Sequence, residues 1–304
     1  MPDIIYFDID GTLRDEKHRI PESTRWAVEK CMEKGIYIVI CTGRNRGSIQ
    51  EDIKRLNTDG IISGGGCDIR FRGKILRQEH FSSRLLREFL QVIRTQKLAV
   101  SVEAEKEIYM NEKAALFYKK DFERKTSGAS NPEKMKAENK IRYEDNFSQL
   151  GRDMGGIHKI CIIGQPAPVG QVERQFSEDI EIVQKKEWNG QCYIEILPRG
   201  CGKGVAVEFL NQYLRIERKN SISFGDGDND AEMLRASGIG IAVRGCSGQL
   251  LRYADSLCDP PMEDGIYTEL VRRKIIDGEE KGAPYQKGVQ GLKNCKNYRM
   301  ERRV

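Results

Sequence analysis

Long apolar runs are missing from this sequence. No stretch approaches the ~20 consecutive apolar residues that a helix needs to cross a bilayer. The opening residues, MPDIIYFDIDG, also lack the basic leader and long apolar core of a secretory signal. We therefore expect a cytoplasmic protein with no membrane partner, whose 304 residues can form one large α/β domain or two smaller ones.

Paired cysteine motifs are absent as well. The chain has nine cysteines, an odd number, and no two of them form a C-x-x-C. This pattern predicts neither a disulfide framework nor a zinc site. It is typical of small buried thiols in a reducing compartment.

A basic surface is missing from most of the chain. The formal net charge is +5, but residues 279–304 carry seven basic and three acidic side chains and account for +4 of it. This basic tail has little helical or strand periodicity, which predicts a flexible, solvated appendage. Binding of nucleic acid or an acidic partner by the tail is the less favoured interpretation.

What is present is an alternation of strand and helix patterns. Buried strands are predicted for IIYF, IYIVIC, GIIS, SISF and IGIAV, with amphipathic helical segments between them. This predicts an α/β fold with a doubly wound parallel-sheet, Rossmann-like core formed by residues 1–80 and 192–278. Residues 81–191 combine a helix, short strands and the polar stretch KKDFERKTSGASNPEKMKAENK, read as a loop or weak helix. They predict an inserted α+β domain.

Three polar motifs each follow a predicted core strand: DIDGT, TGR and GDGDND. The carboxyl ends of parallel strands share one crevice, so the motifs should meet there, joined by Lys203 from the start of a helix. The aspartates brought together would be Asp8, Asp10, Asp226, Asp228 and Asp230. Such a group of carboxylates needs a cation, and hard oxygen ligands favour Mg²⁺.

Asp8 and Asp10 should point to the same side because they are two residues apart at a strand end. One carboxylate can then act as a nucleophile and the other as a general acid and base. Thr42 and Lys203 would supply a neutral donor and a cation to a transferring phosphoryl group. Each motif alone is weak, and GDGDND also resembles part of a calcium loop, although Glu232 comes too early for that signature. Their order along the chain favours the catalytic interpretation.

The four motifs DIDGT, TGR, GKG and GDGDND resemble, in order and spacing, those of the haloacid dehalogenase (HAD) superfamily, specifically the Cof-type phosphatases. The resemblance extends to about Asp277 and includes EMLRASGIGIAV and DGIY. It implies a Mg²⁺-dependent phosphatase whose inserted domain is a large α/β cap that closes over the site and selects the substrate.

The resemblance also implies a role for individual residues. Asp8 is the expected nucleophile and a metal ligand, and Asp10 is the expected general acid and base, which lends its carbonyl to the metal. Thr42 and Lys203 are the expected phosphate-binding residues. The other implied positions are the metal ligand Asp226, the metal-site supports Asn229 and Asp230, and Gly43 and Arg44 near the substrate.

Two segments depart from the family pattern. Gly65-Gly66-Cys67 stands where Asn-Gly-Ala is usual, and Val243-Arg244-Gly245-Cys246 stands where Met-Gly-Asn-Ala is usual. Neither segment belongs to the four motifs. We therefore expect altered substrate contacts rather than altered chemistry.

The expected function is hydrolysis of a small phosphorylated metabolite, first of all a sugar phosphate, through an aspartyl-phosphate intermediate. A phosphosugar mutase using the same aspartates and a non-catalytic binding or regulatory protein remain alternatives. The three histidines, His18, His80 and His158, are isolated from the motifs and are predicted to be surface or packing residues. The sequence predicts no oligomeric state.

Overall fold

The computed structural model describes residues 1–15, 19–126, 141–143, 147, 156–188 and 190–278, without the side chains of 121–126 and 188. The strands in chain order are β1 (Ile4–Phe7), β2 (Tyr37–Cys41), β3 (Gly60–Ser63), β4 (Asp68–Phe71), β5 (Lys74–Gln78), β6 (Ala99–Ala104), β7 (Ile108–Met110), β8 (Ile141–Tyr143), β9 (Ile157–Gly164), β10 (Ile180–Trp188), β11 (Gln191–Pro198), β12 (Ser221–Gly225), β13 (Ile239–Val243) and β14 (Ser256–Cys258). The α-helices are α1 (Glu22–Glu33), α2 (Glu51–Lys54), α3 (Ser83–Gln96), α4 (Glu112–Thr126), α5 (Pro166–Gln175), α6 (Lys203–Leu214), α7 (Ala231–Ala236), α8 (Gly248–Leu251) and α9 (Gly265–Arg272). The tail expected to be flexible, 279–304, lies outside the described residues.

The larger sheet has the order β14-β13-β12-β1-β2-β3-β4-β5. Strands β14 through β3 run parallel, and the β4–β5 hairpin adds two antiparallel strands at one edge. The chain order reverses direction between β1 and β12, which makes that position the switch point of the sheet. The predicted doubly wound core is therefore confirmed.

Strand β1 shows why both faces of this sheet are covered. Its alternate side chains Ile5 and Phe7 join one apolar cluster, which includes residues of α1 and α9. Ile4 and Tyr6 join a second cluster, built with α6 and α7. All four side chains are fully buried, as expected for a central strand of a parallel sheet.

The smaller sheet has the order β10-β11-β9-β6-β7-β8 and is antiparallel except for the β7–β8 pair. Helices α3 and α5 cover one face of it. Helix α3 begins after Ser82, whose hydroxyl accepts a hydrogen bond from the Leu85 amide at 3.2 Å. The helix buries apolar side chains at spacings of three and four residues, including Phe89 and Ile93, against this sheet. We call this smaller domain the cap and the larger one the core.

The expected boundary at residue 192 is wrong. Strand β11 pairs with β9 and β10 inside the cap sheet, so the chain returns to the core only after Pro198. The segment CYIEILP predicts a strand, but only the distant residues of β9 determine which sheet that strand joins.

Two further features differ from the sequence expectations. The β4–β5 hairpin was not predicted, and α4 begins at Glu112, before the polar stretch expected to be a loop or weak helix, and continues into it through Thr126 in agreement with the helical alternative. The rest of that stretch, 127–140, lies outside the described residues. None of the helices in the described part of the chain is long and apolar enough to cross a bilayer.

Candidate active site

The site begins at the carboxyl end of β1, beside the switch point. Asp8 directly follows the strand, and its amide donates to the carbonyl oxygen of Phe224 in β12 at 3.0 Å. The carboxylate of Asp8 is buried and lies 2.6 Å from the Nζ of Lys203, at the first turn of α6. Two chain segments 195 residues apart therefore meet at this strand end.

Lys203 bridges two aspartates. Its Nζ also contacts Asp230 Oδ1 at 2.5 Å, and the lysine side chain is 2% exposed. Asp230 is held in turn by the backbone, because its Oδ2 accepts from the amides of Asp226 and Gly227 at 3.1 and 2.9 Å. Burial disfavours the ammonium form, but Asp230 and Asp8 raise the pKa of Lys203 well above its usual range.

Asp226 completes the group from the end of β12. Its Oδ1 accepts from the hydroxyl of Thr12 at 3.0 Å. Gly11 is required beside it for two reasons: its φ is +86°, and a Cβ there would lie 2.2 Å from Asp226 Oδ2. Gly11 of DIDGT thus lets the carboxyl end of β1 approach Asp226 of the GDGDND motif.

The carboxylates of Asp8, Asp226 and Asp230 form a set suited to a divalent cation. One oxygen from each lies within 4.8 Å of the others. Burial, together with the neighbouring carboxylates, raises the pKa of Asp8 to about 8 and that of Asp226 to about 6. A cation bound among them would favour the ionised forms, and an all-oxygen donor set is the kind that Mg²⁺ and similar hard ions prefer.

The Asp10 carboxylate is not part of this set. It pairs instead with Arg44, at 2.5 Å to Nε, and with Arg14, at 2.8 Å to Nη2. Burial acts against ionisation, but the two guanidinium groups lower the pKa of Asp10 to about 2. Of the residues predicted as ligands, Asp8 and Asp226 are therefore brought together with Asp230, while the Asp10 side chain is held apart as a carboxylate.

The TGR motif supplies the next wall of the site. Thr42 is buried, and its Oγ1 accepts from the amide of Arg44 at 3.1 Å. A Cβ at Gly43 would lie 3.5 Å from the side-chain amide of Asn229, so TGR and GDGDND meet here. The TGR motif thus adjoins the segment that carries Asp226 and Asp230.

A chamber of about 330 Å³ lies above these residues, between core and cap. This volume suits a small ligand. On the core side it is lined by motif residues, including Asp8, Asp10, Thr42, Arg44 and Asn229. On the cap side the described lining residues are Glu103, Ile108, Lys159, Gln184, Lys186 and Glu195.

Sequence reasoning missed these cap residues and Arg14. Lys159 carried one usable signal, since it and His158 are the two polar side chains in the mainly apolar strand IHKICIIG, which is expected to be buried. A buried lysine is expected to have an anionic partner. Glu103 and Glu195 carried no such signal, because each looks like the polar position of an alternating strand.

The two departures from the family pattern lie in different surroundings. Gly65 and Cys67 are buried beside the cap, and the Cys67 thiol donates to the carbonyl oxygen of His158 at 3.5 Å. Arg244 is exposed and pairs with Asp259 at 2.9 Å. His158 and its neighbour His80 are in ring contact, with centroids 4.8 Å apart, whereas His18 lies outside the described residues.

A carboxylate site at the switch point of a doubly wound sheet, beneath an inserted second sheet, defines a class of capped α/β hydrolases. The chain belongs to the haloacid dehalogenase-like hydrolase family, whose model matches residues 5–270. The family predicted from the four motifs is thereby confirmed.

Individual relatives agree with this assignment. The chain is 25% identical over 248 residues to an HMP-PP phosphatase of Cronobacter sakazakii, covering 81% of this chain and 85% of the relative. The fold of this chain is similar to that of the HAD subclass IIB sugar phosphatase BT4131, with a TM-score of 0.72. The two sequences are 23% identical, and the match covers 90% of this chain and 100% of BT4131. The HAD phosphatase BT1666 from Bacteroides thetaiotaomicron is also similar in fold, with a TM-score of 0.73 and 23% identity. The match covers 91% of this chain and 96% of BT1666. The predicted enzyme class, a phosphatase-type hydrolase, agrees with these findings.

Proposed function

We propose that this protein is a Mg²⁺-dependent phosphatase that hydrolyses monoesters of small phosphorylated metabolites, sugar phosphates first of all. The observation that carries the proposal is the Lys203 ammonium, held between Asp8 and Asp230 with Asp226 close by. Asp8 and Asp226 also line the chamber of metabolite size. A buried nucleophile, a fixed cation and a carboxylate set in one place are the parts that phosphoryl transfer needs.

Asp8 is the proposed nucleophile. Its carboxylate oxygen attacks phosphorus, the bond from phosphorus to the leaving oxygen breaks, and the leaving group departs as an alcohol after gaining a proton. Lys203 and Thr42 stabilise the charge on the phosphoryl oxygens from fixed positions. Water then cleaves the aspartyl phosphate, releasing inorganic phosphate and regenerating Asp8.

Asp10 is the proposed proton carrier for both halves of the reaction. It protonates the leaving oxygen in the first half and takes a proton from the attacking water in the second. The pairing with Arg44 and Arg14 holds Asp10 ionised in the free protein. Asp10 therefore takes up a proton from the monoanion of the incoming phosphate ester, passes it to the leaving oxygen in the first half, and as a carboxylate again accepts a proton from water in the second.

Asp8, Asp226 and Asp230 are the side chains that would hold the Mg²⁺, with Asn229 as a supporting residue. When bound, the ion would neutralise charge on the phosphoryl group. Sugar phosphates are favoured as substrates because the described chamber lining is polar apart from Ile108 and two glycines, and it has no aromatic ring to stack on a base.

Phosphate release from p-nitrophenyl phosphate, a panel of sugar phosphates and HMP-PP, with and without Mg²⁺, tests the proposal. We expect Mg²⁺-dependent release that Asp8→Asn lowers to below about 1% of wild type, since removing a nucleophile costs several powers of ten. The exposed Asp179→Asn provides a matched control and should behave as wild type.

Retention of more than a few per cent of activity in Asp8→Asn would contradict the role of Asp8. Product analysis separates the alternatives, because a mutase returns an isomeric phosphate ester whereas a phosphatase releases inorganic phosphate. A wild-type protein that is silent on the whole panel would favour a non-catalytic binding protein.

A further inference from the structure

The cap sheet presents a polar row to the chamber. Along β6, β9 and β11 the apolar side chains pack on the helices, and the alternate positions carry Glu103, Lys159 and Glu195. Glu103 and Lys159 are directly paired in the ladder of β6 and β9. The three charged groups are therefore neighbours above the core motifs.

Lys159 is held by several protein partners. Its Nζ lies 2.9 Å from Glu103 Oε1 and 2.9 Å from the carbonyl oxygen of Gly43 in the TGR motif, both hydrogen-bond distances. Glu195 Oε2 lies farther away, at 3.6 Å, as an ion-pair partner. Lys159 thus connects the cap to the TGR motif and fixes the position of Glu103.

The two glutamates differ in how well they are satisfied. Glu195 also accepts from the Tyr193 hydroxyl at 2.5 Å and, with the Gln184 amide in its favoured orientation, from that amide at 3.2 Å. Glu103 has Lys159 as its one hydrogen-bonding partner among the described residues. Burial raises the pKa of Glu103, whereas the pKa of Glu195 is lowered, against burial, by Lys159 and Tyr193.

A buried carboxylate with spare acceptor positions at a ligand chamber is a recognition group. Its natural complement is a donor such as a hydroxyl, and a group without donors would leave it unsatisfied at a cost. The Arg44 charge lies on the opposite side of the chamber, within electrostatic reach of Glu103.

We propose that Glu103 is a specificity-determining residue that accepts hydrogen bonds from hydroxyls of the leaving group, and that Lys159 is the positioning residue that holds it. This inference rests on the proposed phosphatase function and deepens it: the preferred substrates are monophosphates of polyhydroxylated leaving groups, sugars or sugar alcohols.

Matched substrate pairs test the proposal: glucose 6-phosphate against 2-deoxyglucose 6-phosphate, ribose 5-phosphate against 2-deoxyribose 5-phosphate, and p-nitrophenyl phosphate as a probe without hydroxyls. Wild type should prefer at least one hydroxylated member by roughly tenfold or more in kcat/KM, because a site built for a hydroxyl rejects the analogue that lacks it. Glu103→Met should lower kcat/KM for that substrate, mainly through KM, by at least about tenfold more than it lowers kcat/KM for p-nitrophenyl phosphate. Glu103→Gln keeps an acceptor oxygen, so its kcat/KM for the hydroxylated substrate should lie between those of wild type and Glu103→Met.

Glu178→Met changes an exposed cap glutamate outside the chamber and is the matched control, with circular dichroism and thermal melting to verify folding. A Glu103→Met protein that loses activity on all probes in the same proportion, or on none, would overturn the specificity role while leaving the phosphatase proposal standing. If wild type is active but has equal kcat/KM for the hydroxylated and deoxy members of each pair, the specificity role of Glu103 is likewise overturned. A wild-type protein inactive on every probe with Mg²⁺ would overturn the phosphatase proposal and this inference with it.

Discussion

His158 shows how one buried residue can make stability depend on pH. Its Nδ1 lies 2.9 Å from the carbonyl oxygen of Glu79 and donates to it, while Nε2 is buried with no partner among the described atoms. Protonation would add a second donor without an acceptor. Burial accordingly lowers the pKa of His158 below its usual value.

The free energy of unfolding should therefore fall as the pH is lowered through about 6.5, the usual histidine pKa. In that range the unfolded chain binds more protons than the folded protein, so stability rises with pH. The free energy of unfolding can be measured in urea at several values between about pH 7 and pH 5. It should depend less on pH in His158→Gln than in wild type, because glutamine keeps an amide donor for Glu79 but does not titrate. If the unfolding free energies of wild type and His158→Gln change equally with pH, His158 is not the source of the pH dependence.

The two aspartates of DIDGT illustrate how position overrides residue type. Asp8 lies against other carboxylates, which together with burial raise its pKa, whereas Asp10, two residues on, lies between guanidinium groups that lower it. The same carboxyl group thus has two different ionisation equilibria, set by the neighbours that surround each position, and Asp8 and Asp10 are the residues for which we propose two different tasks.

At the scale of elements, the turn after TGR is joined to the turn between β6 and β7. The Asn45 side-chain amide donates to the carbonyl oxygens of Ala104 and Glu107 at 2.9 and 3.1 Å. The Gly47 amide donates to the carbonyl oxygen of Glu105 at 3.2 Å. Since TGR is the motif for which we propose phosphate binding, these bonds would couple the position of the cap to the site.

Gly47→Ala should loosen this contact. A Cβ at position 47 would lie 1.9 Å from the carbonyl oxygen of Lys106, so core and cap must move apart, at a cost of about 1–3 kcal/mol for such overpacking. We expect a lower kcat/KM and a larger radius of gyration in small-angle X-ray scattering.

Gly248→Ala is the matched control for this substitution. A Cβ at Gly248 meets nothing within 4 Å, so activity and scattering should equal those of wild type. If Gly47→Ala also matches wild type in both measurements, the contact between the two turns does not hold the cap.

At the scale of the whole molecule, the site belongs to neither sheet alone. The core contributes the aspartates and Lys203, and the cap contributes the roof of the chamber. The proposed chemistry therefore depends on the core motifs, and the proposed selection of substrate depends on the cap.

The basic tail should be dispensable for catalysis. A protein ending at Gly278 keeps every residue assigned here and the buried Ile275 and Ile276, so its phosphatase activity and melting temperature should match the full chain. In a filter-binding assay with RNA, full-length and shortened proteins should also be equal. A difference in RNA retention that weakens with added salt would show instead that the tail binds nucleic acid.

Much of the core could be predicted from the sequence because its signals are local. Apolar runs such as IYIVIC predict buried strands, and a motif directly after such a strand lies at the carboxyl edge of a parallel sheet wherever the strand sits. The positions of Asp8, Thr42 and Asp226 near one another follow from that rule, as does the predicted need for a cation.

The sequence alone thus determined five parallel strands of the core, the family and the identity of the motif residues. Tertiary structure alone decided that β11 belongs to the cap and that Asp10 faces Arg14 and Arg44. It also decided that Glu103 faces Lys159 across two strands far apart in the chain. Apart from the short-range pair of Asp10 with Arg14, these strand partners and ion pairs depend on contacts between distant segments, and no local pattern of apolar and polar residues specifies which segments meet.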